Sequence, residues 1–500
     1  MRRRTFIKSL GLAGAWLGTP ALAQGTDKPQ DGATILKGKV HAGGTGIAGV
    51  AVTDGRTIAV TDRGGRYELA AHPDAEFVYI SIPAGYAFPT EKGIARFYAP
   101  VAGKTGAVVN DFALEKLGVD DSKHQFVVWA DTQMISKKDC EQLKAESVPD
   151  LKALVAGYGS SALFHGIGCG DLVWDKFDLF ADYKEAIGMT GVPFFNVIGN
   201  HDMDISARGD DFSAATFKQQ FGPTYYSFNR GAVHYVVLDD VFFIGTAKKY
   251  IGYITDTQLA WLEKDLALVK PGSTVVLSVH IPTNTGAARR TGKTDELGGS
   301  VSNRKQLYKL LAPFKTHIMS GHTHFNESWE EGNLMEHNHG TVCGAWWTGP
   351  ICGDGTPGGY GVYEVDGSEI RWYYKSTGQP KEHQLRIYGR GASKEQPNEI
   401  VANVWNWDPA WKVEWWEDGQ AKGAMQQRTG LDPWAVELYA GPQLPAKHKF
   451  VEPTIADHLF VATPAATAQR VTIKATDRFG NVFSQELALQ APGSGLQRTT

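Results

Sequence analysis

Hydrophobic positions along the chain fall into three regimes. From Ile35 to about Leu117 they come in short runs, Ile35 to Val40, Gly49 to Val52, Tyr67 to Leu69 and Phe77 to Ile82. Runs of this length between turn residues predict strands. Thr61-Asp62-Arg63-Gly64-Gly65-Arg66-Tyr67 predicts a hairpin turn with glycine supplying positive φ. From 123 to 375 the runs Phe126 to Ala130, Val192 to Ile198, Thr274 to Val279 and His317 to Met319 read as buried strands and alternate with helical stretches. One helix is announced by Thr255-Asp256-Thr257-Gln258, a capping box, followed by Leu259, Leu262, Leu266 and Val269. Such alternation predicts a layered α/β domain. From about 380 to 492 the pattern is β again, with Val471 to Thr476 alternating cleanly into a turn at Asp477-Arg478-Phe479-Gly480-Asn481. The polar stretch 24–34 reads as a disordered leader and 35–117 as a β-sandwich.

The apolar runs of the middle region end on polar residues of one chemical kind. They lead into Asp131, Asn200-His201-Asp202, His280 and His322-Thr323-His324, and Gly170-Asp171 belongs with them. Side chains at the carboxyl ends of strands in an open α/β sheet converge on one crevice. Oxygen and imidazole donors in one place suit Mn, Zn or Fe better than thiolate chemistry would. Two such ions clamp the oxygens of an in-line phosphoryl displacement and acidify a bound water.

The order Asp131-Thr132-Gln133, Gly170-Asp171, Gly199-Asn200-His201-Asp202, His280, Gly321-His322-Thr323-His324 resembles the calcineurin-like metallophosphoesterases, whose pattern runs D-x-H, GD, GNH[DE], H, GHxH. The departure is Gln133, where that family usually has histidine. The resemblance implies an α/β fold with a central four-layer αββα domain, two packed mixed sheets flanked by helices, between an N-terminal β-sandwich and a C-terminal β-rich domain. It assigns one metal to Asp131, Asp171 and His324, with Gln133 as a neutral ligand. The second metal takes Asn200, His280 and His322, and Asp171 bridges. His201 then serves as general acid or leaving-group stabiliser, with Asp202 a candidate to orient its ring. The implied activity is hydrolysis of phosphate mono- or diesters by in-line attack of a metal-bound hydroxide. The alternative is a catalytically degenerate periplasmic metal-binding or interaction protein. The N-terminal part is similar to the transthyretin-like sandwiches attached to secreted hydrolases.

The amino terminus adds a location. Arg3-Arg4-Thr5-Phe6-Ile7-Lys8, an apolar stretch Leu10 to Leu17 and Ala21-Leu22-Ala23 resemble a twin-arginine signal peptide cleaved near Ala23. The implied partner is the twin-arginine export machinery, and the expected place is the periplasm or outside the cell. Removing residues 1–23 takes four cations and no acid, so the formal charge of −4 becomes −8. A mildly acidic chain has no footprint for nucleic acid, and no later segment has the length and apolarity of a membrane span. At 500 residues and 42% hydrophobic, two or three cores fit. Of four cysteines, Cys343 and Cys352 are candidates for a disulfide, Cys169 reads as a small buried residue and Cys140 as unpaired.

Substrate contacts are less legible. Residues 281–304, with Arg289, Arg290, Lys293 and Arg304, read either as a lid for a second phosphate or anionic head group or as a solvated loop. The loop Trp346 to Gly359 follows the GHTH segment closely, so Trp346 and Trp347 are candidates to stack on a leaving group. The resemblance implies a small-molecule, lipid or glycan phosphoester as substrate. The cluster Trp405, Trp407, Trp411, Trp415, Trp416 and Trp434 reads as aromatic packing before it reads as a sugar or base platform.

Overall fold

The computed structural model describes residues 34–245, 248–286, 298–490 and 496–499. Its architecture is mixed α/β, with several sheets and comparatively few helices. Two large sheets carry the middle region. The first has seven strands in the order Glu369–Ser376, Gly359–Asp366, Lys123–Trp129, Phe164–Cys169, Phe194–Val197, Ile94–Ala95 and Thr90–Glu91. The second has six, in the order Tyr226–Arg230, Val233–Val237, Thr274–Ser278, Lys315–Ser320, Leu334–Asn338 and Glu327–Glu331. Lys123–Trp129, Phe164–Cys169 and Phe194–Val197 run parallel, as do Val233–Val237, Thr274–Ser278 and Lys315–Ser320. Parallel strands are covered on both faces and therefore read as continuous apolar runs, which is why these were legible.

Three apolar clusters tie the sheets to their surroundings. One joins Phe126, Val128, Ile167 and Phe195 of the first sheet to Phe228, Tyr235, Val276 and Met319 of the second. Another joins Val127, Trp129 and Phe194 to the helices Lys137–Ala145, Ser147–Gly157 and Phe180–Thr190. The third joins Val236, Val275 and Ile318 to Asp256–Leu266 and Arg304–Leu311. Asp256–Leu266 starts where the sequence placed it and buries Trp261, Leu262 and Leu266, but only half of the capping box forms: Thr255 accepts the Gln258 N–H, while the Gln258 side chain bonds the Asp239 backbone.

The N-terminal part forms two small sheets, one built on Ile35–Ala42 and one ordered Ile58–Val60, Ala51–Thr53, Phe77–Ile80, Tyr98–Pro100. Of the turn's two glycines only Gly65 is left-handed, at φ 76°. This part shares its core with the middle region. Phe88 packs edge-on against Phe195 and Phe228, which stack at 3.7 Å, and the hairpin 90–95 extends the seven-stranded sheet. The C-terminal part packs two four-stranded sheets around Trp411, Trp415, Val471 and Ile473, so those tryptophans are core.

All four cysteines are free and buried. The Cys343–Cys352 disulfide does not form. The Thr341 hydroxyl lies 3.5 Å from each of the two sulfurs and hydrogen-bonds to both. No helix among the described residues is long and apolar enough to cross a membrane. The proposed signal peptide lies outside those residues.

Candidate metal centre

Because the strands run parallel, their carboxyl ends meet at one edge. Asp131, Asp171 and Asn200 leave the seven-stranded sheet there, and His280 and His322 leave the six-stranded one. The glycines of the motifs are dictated by crowding. A Cβ on Gly199 would sit 2.1 Å from the Asp171 amide nitrogen, and one on Gly170, itself left-handed at φ 79°, would sit 2.3 Å from His280 Nδ1. Only glycine lets the turns close this far.

The resulting pocket is rich in acceptors. Asp171 Oδ1 lies 3.3 Å from His280 Nε2, which lies 3.1 Å from Asn200 Oδ1. His280 Nδ1 donates to the Cys169 carbonyl at 3.0 Å, which fixes the tautomer and leaves Nε2 facing the two oxygens. Asp131 Oδ1 lies 3.4 Å from His324 Nε2, and the Asp131 carboxylate accepts the His322 N–H. His322 Nε2 donates to the Gly298 carbonyl at 3.1 Å. The donor atoms of Asp171, His280 and His322 all lie within 4.8 Å of one another. Gln133 Nε2 donates to Asp171 Oδ2 at 2.9 Å, while Gln133 Oε1 and His324 Nδ1 are buried with no hydrogen-bond partner.

Electrostatics show the same demand for positive charge. Asp131 and Asp171 are fully buried, and no Lys or Arg among the described residues pairs with either. Burial pushes the Asp171 carboxyl up, but the rings of His280, His201 and His322 hold it well below the usual carboxylate range. Burial pushes His280 down, yet Asp171 overrides this and raises the ring to about 10. Oxygen and nitrogen lone pairs converging on a space that calls for positive charge fit divalent ions.

His201 stands beside the cluster, donating its backbone N–H to Asp171 Oδ1 at 2.9 Å. The expected orienting role of Asp202 is corrected. The turn Gly199 to Asp202 sends that carboxylate backward, where it is fully buried and accepts the backbone N–H groups of Leu172, Val173 and Gly199. Burial raises its carboxyl to about 7, helped by the Asp171 charge. The partner of His201 is Asp175, whose Oδ1 lies 3.2 Å from Nδ1 and whose Oδ2 accepts from Lys248 at 2.6 Å. Burial lowers the His201 pKa, but Asp171 and Asp175 outweigh it and raise the ring above its ordinary value. Asp175 follows Gly170-Asp171 by four residues, a proximity that is visible in the sequence only once the turn is known.

The candidate substrate contacts separate. The Trp346 ring stacks on His324 at 4.3 Å and 28°. Trp347 does not line the site. It is 9% exposed, and its indole N–H donates to the Thr132 carbonyl at 2.8 Å, bracing the loop that carries Asp131 and Gln133. Arg289, Arg290 and Lys293 lie outside the described residues. Arg304 opens a helix and donates to the Val301 carbonyl at 3.4 Å. Trp174, His448 and Phe450, which the sequence did not single out, border the site: Trp174 meets His201 at 5.5 Å and packs against the other two.

Residues 149–326 match the family described as calcineurin-like phosphoesterase, residues 34–117 its N-terminal part and residues 336–483 its C-terminal part. The chain is similar to purple acid phosphatase 15 of Arabidopsis thaliana, 27% identical over 192 residues, 36% of this chain and 32% of that protein. It thus spans about a third of the length of that curated relative. Among solved structures it is similar to a dimetal phosphatase from Danio rerio (13% identity, TM-score 0.36, 52% of this chain and 97% of that one). It is also similar to the purple acid phosphatase PPD1 of yellow lupin, Lupinus luteus (12%, TM-score 0.36, 65% and 66%). The chain belongs to the calcineurin-like phosphoesterase superfamily, with the N- and C-terminal parts of that family on either side of residues 149–326.

Proposed function

We propose that this protein is an exported, metal-dependent phosphoesterase that hydrolyses phosphate mono- or diesters. The observation that carries this is the acceptor-rich, buried cluster at the joint edge of the two sheets, with a carboxylate-oriented histidine beside it. Asp131, Asp171, His324 and the free Oε1 of Gln133 would hold one ion, and Asn200, His280 and His322 the other, with Asp171 shared. When bound, the ions would supply Lewis acidity and an acidified water. The chain does the rest. Asp175 fixes the His201 ring through Nδ1, so Nε2 is the atom that delivers a proton to the leaving oxygen. Trp347 and Asp202 hold the loops that place Asp131 and Asp171.

The four-layer reading of the middle region rests on its three apolar clusters. The two facing N-terminal sheets suit a transthyretin-like scaffold. Export through the twin-arginine route rests on Arg3-Arg4 and the apolar run behind them. The test is turnover of p-nitrophenyl phosphate and bis-p-nitrophenyl phosphate by the mature protein, metal-stripped and reloaded with Mn, Zn or Fe. Turnover restored by metal supports the enzyme. Tight metal binding with no turnover on any phosphoester would leave a degenerate metal-binding protein instead.

A further inference from the structure

We propose that the C-terminal domain completes the substrate site, with Phe450, Trp174 and Trp346 forming an aromatic wall on the leaving-group side that selects phosphoesters of planar aromatic alcohols. The inference rests on the phosphoesterase reading, since it is His201 that marks where the alcohol departs.

The wall is in contact with the chemistry. Trp174 follows Asp171 by three residues, and its ring meets His201 at 5.5 Å and 66°. Trp346 lies over His324 on the other side. Phe450 closes the group, edge-on to Trp174 at 5.8 Å and to Trp346 at 5.4 Å, while His448 packs 5.3 Å from both Trp174 and Phe450. An alcohol leaving past His201 therefore leaves along these rings.

Phe450 is 54% exposed, so its position is not explained by core packing. Its neighbours in the chain are nonetheless fixed. Lys447 pairs with the buried Asp139 at the start of the helix Lys137–Ala145. The Lys447 carbonyl accepts from the Thr348 hydroxyl at 2.8 Å. Val451 is buried with Ala345, Ile351, Ala435 and Tyr439. A loop pinned on both sides thus holds a large aromatic side chain out toward solvent beside a metal centre. His448, Trp346 and Trp347 all adopt left-handed backbone (φ 49°, 49° and 57°), which costs about 1–2 kcal/mol per residue. Such strain gathers where side-chain placement matters.

The chemistry of the wall names its ligand. The exposed Phe450 ring and the partly exposed Trp174 and Trp346 offer aromatic surface for stacking and edge contacts, the interactions a flat ring recognises and a flexible chain or a polyol satisfies poorly. Benzyl phosphate and ethyl phosphate both release primary alcohols, so their ratio of kcat/KM reports binding of the ring rather than leaving-group strength. The metal-loaded mature protein should prefer benzyl over ethyl phosphate by about tenfold or more, the size of one aromatic contact with its buried area. Phe450→Ala should reduce that preference about tenfold and Phe450→Tyr should keep it. Hexyl phosphate should be used less well than benzyl phosphate.

Equal losses on benzyl and ethyl phosphate in Phe450→Ala would make Phe450 a structural residue and overturn the proposal. Hexyl phosphate used as well as benzyl phosphate would overturn the planar class in favour of an acyl or lipid chain. No turnover of these monoesters by a wild type that still turns over bis-p-nitrophenyl phosphate would overturn this inference alone; no turnover of either nitrophenyl substrate as well would sink the phosphoesterase reading itself.

Discussion

Asp354→Ala should uncouple the C-terminal domain from the metal-site loops. Asp354 is buried and accepts from the Asn326 N–H at 3.0 Å, the Thr356 N–H at 2.9 Å and the Thr356 hydroxyl at 2.7 Å. Its Oδ2 also lies 3.1 Å from His458 Nε2. His458 Nδ1 in turn faces Asn403 Oδ1 at 2.8 Å, and Asn403 donates to the Asp354 carbonyl and to Asp432. Both ring nitrogens of His458 thus face oxygens, and Asp354 outweighs burial to raise the ring's pKa, which makes the two an ion pair in the protonated form. Asn326 stands two residues past His324, so this network joins the C-terminal strands Ile400–Asn403 and Ile455–Ala462 to the GHTH segment. Removing one member of a buried pair leaves the other uncompensated and costs about 3–5 kcal/mol. We expect about 4 kcal/mol, or roughly 10 °C in Tm for a cooperative unit of 150–250 residues. Urea and thermal melts of metal-stripped protein would read it, and a double-mutant cycle with His458→Ala should return a coupling of about 2–3 kcal/mol. A loss below about 1 kcal/mol, or additive single mutants, would refute the linkage.

The same pair sets a pH dependence. Burial lowers the His458 pKa but Asp354 outweighs it, so His458 contributes stability that is fully present below 6.5 and lost as pH rises through its raised folded value. Burial raises Asp354 but His458 outweighs it, so its contribution is present above 3.8 and lost as pH falls through its lowered value. Wild type should exceed Asp354→Ala in Tm by the largest margin between those limits; a flat difference from pH 3 to 9 would contradict the ion pair. Asp175→Asn should lower kcat about a hundredfold with metal content unchanged, since it disorients the His201 ring without touching a ligand; lost metal would make Asp175 part of the metal cluster. Gly199→Ala should deplete metal, measured by elemental analysis, because its Cβ would press within 2.2 Å of Asp171 Oδ1; full occupancy would mean the turn relaxes freely.

What the sequence made legible follows from what is local. Buried parallel strands are continuous apolar runs, and Asp131, Asn200 and His280 follow such runs within a residue or three, so residue order alone brought them to one edge. Asp202 misled because neighbours in sequence face opposite ways in a tight turn. Asp202 N donates to Gly199 O at 3.1 Å, and the carboxylate turns into the backbone while His201 turns toward Asp175. Trp347 misled for the same reason, since Trp346 and Trp347 leave one left-handed turn in different directions. Phe450 carries no local signal at all. Its partners are Trp174 and Trp346, and only the docking of the C-terminal part on residues 345–351 brings them together.

The backbone explains why the site needs more than its five motifs. Twelve non-glycine described residues are left-handed, and ten of them make the centre, border it or brace its loops: Asp131, Gln133, Asp171, Asp175, Lys248, His322, His324, Trp346, Trp347 and His448. None has the conformational excuse of glycine, so each is held against its own preference by its surroundings. Those surroundings come from distant parts of the chain. Hydrogen bonds from the turns grip Asp131 and Asp171, the Thr132 carbonyl holds Trp347, and the C-terminal loop abuts Trp346 through Phe450. A peptide bearing only the five motifs would relax these residues to right-handed or extended backbone and scatter the donors. The C-terminal loop that carries Phe450 is therefore part of what holds the centre in shape.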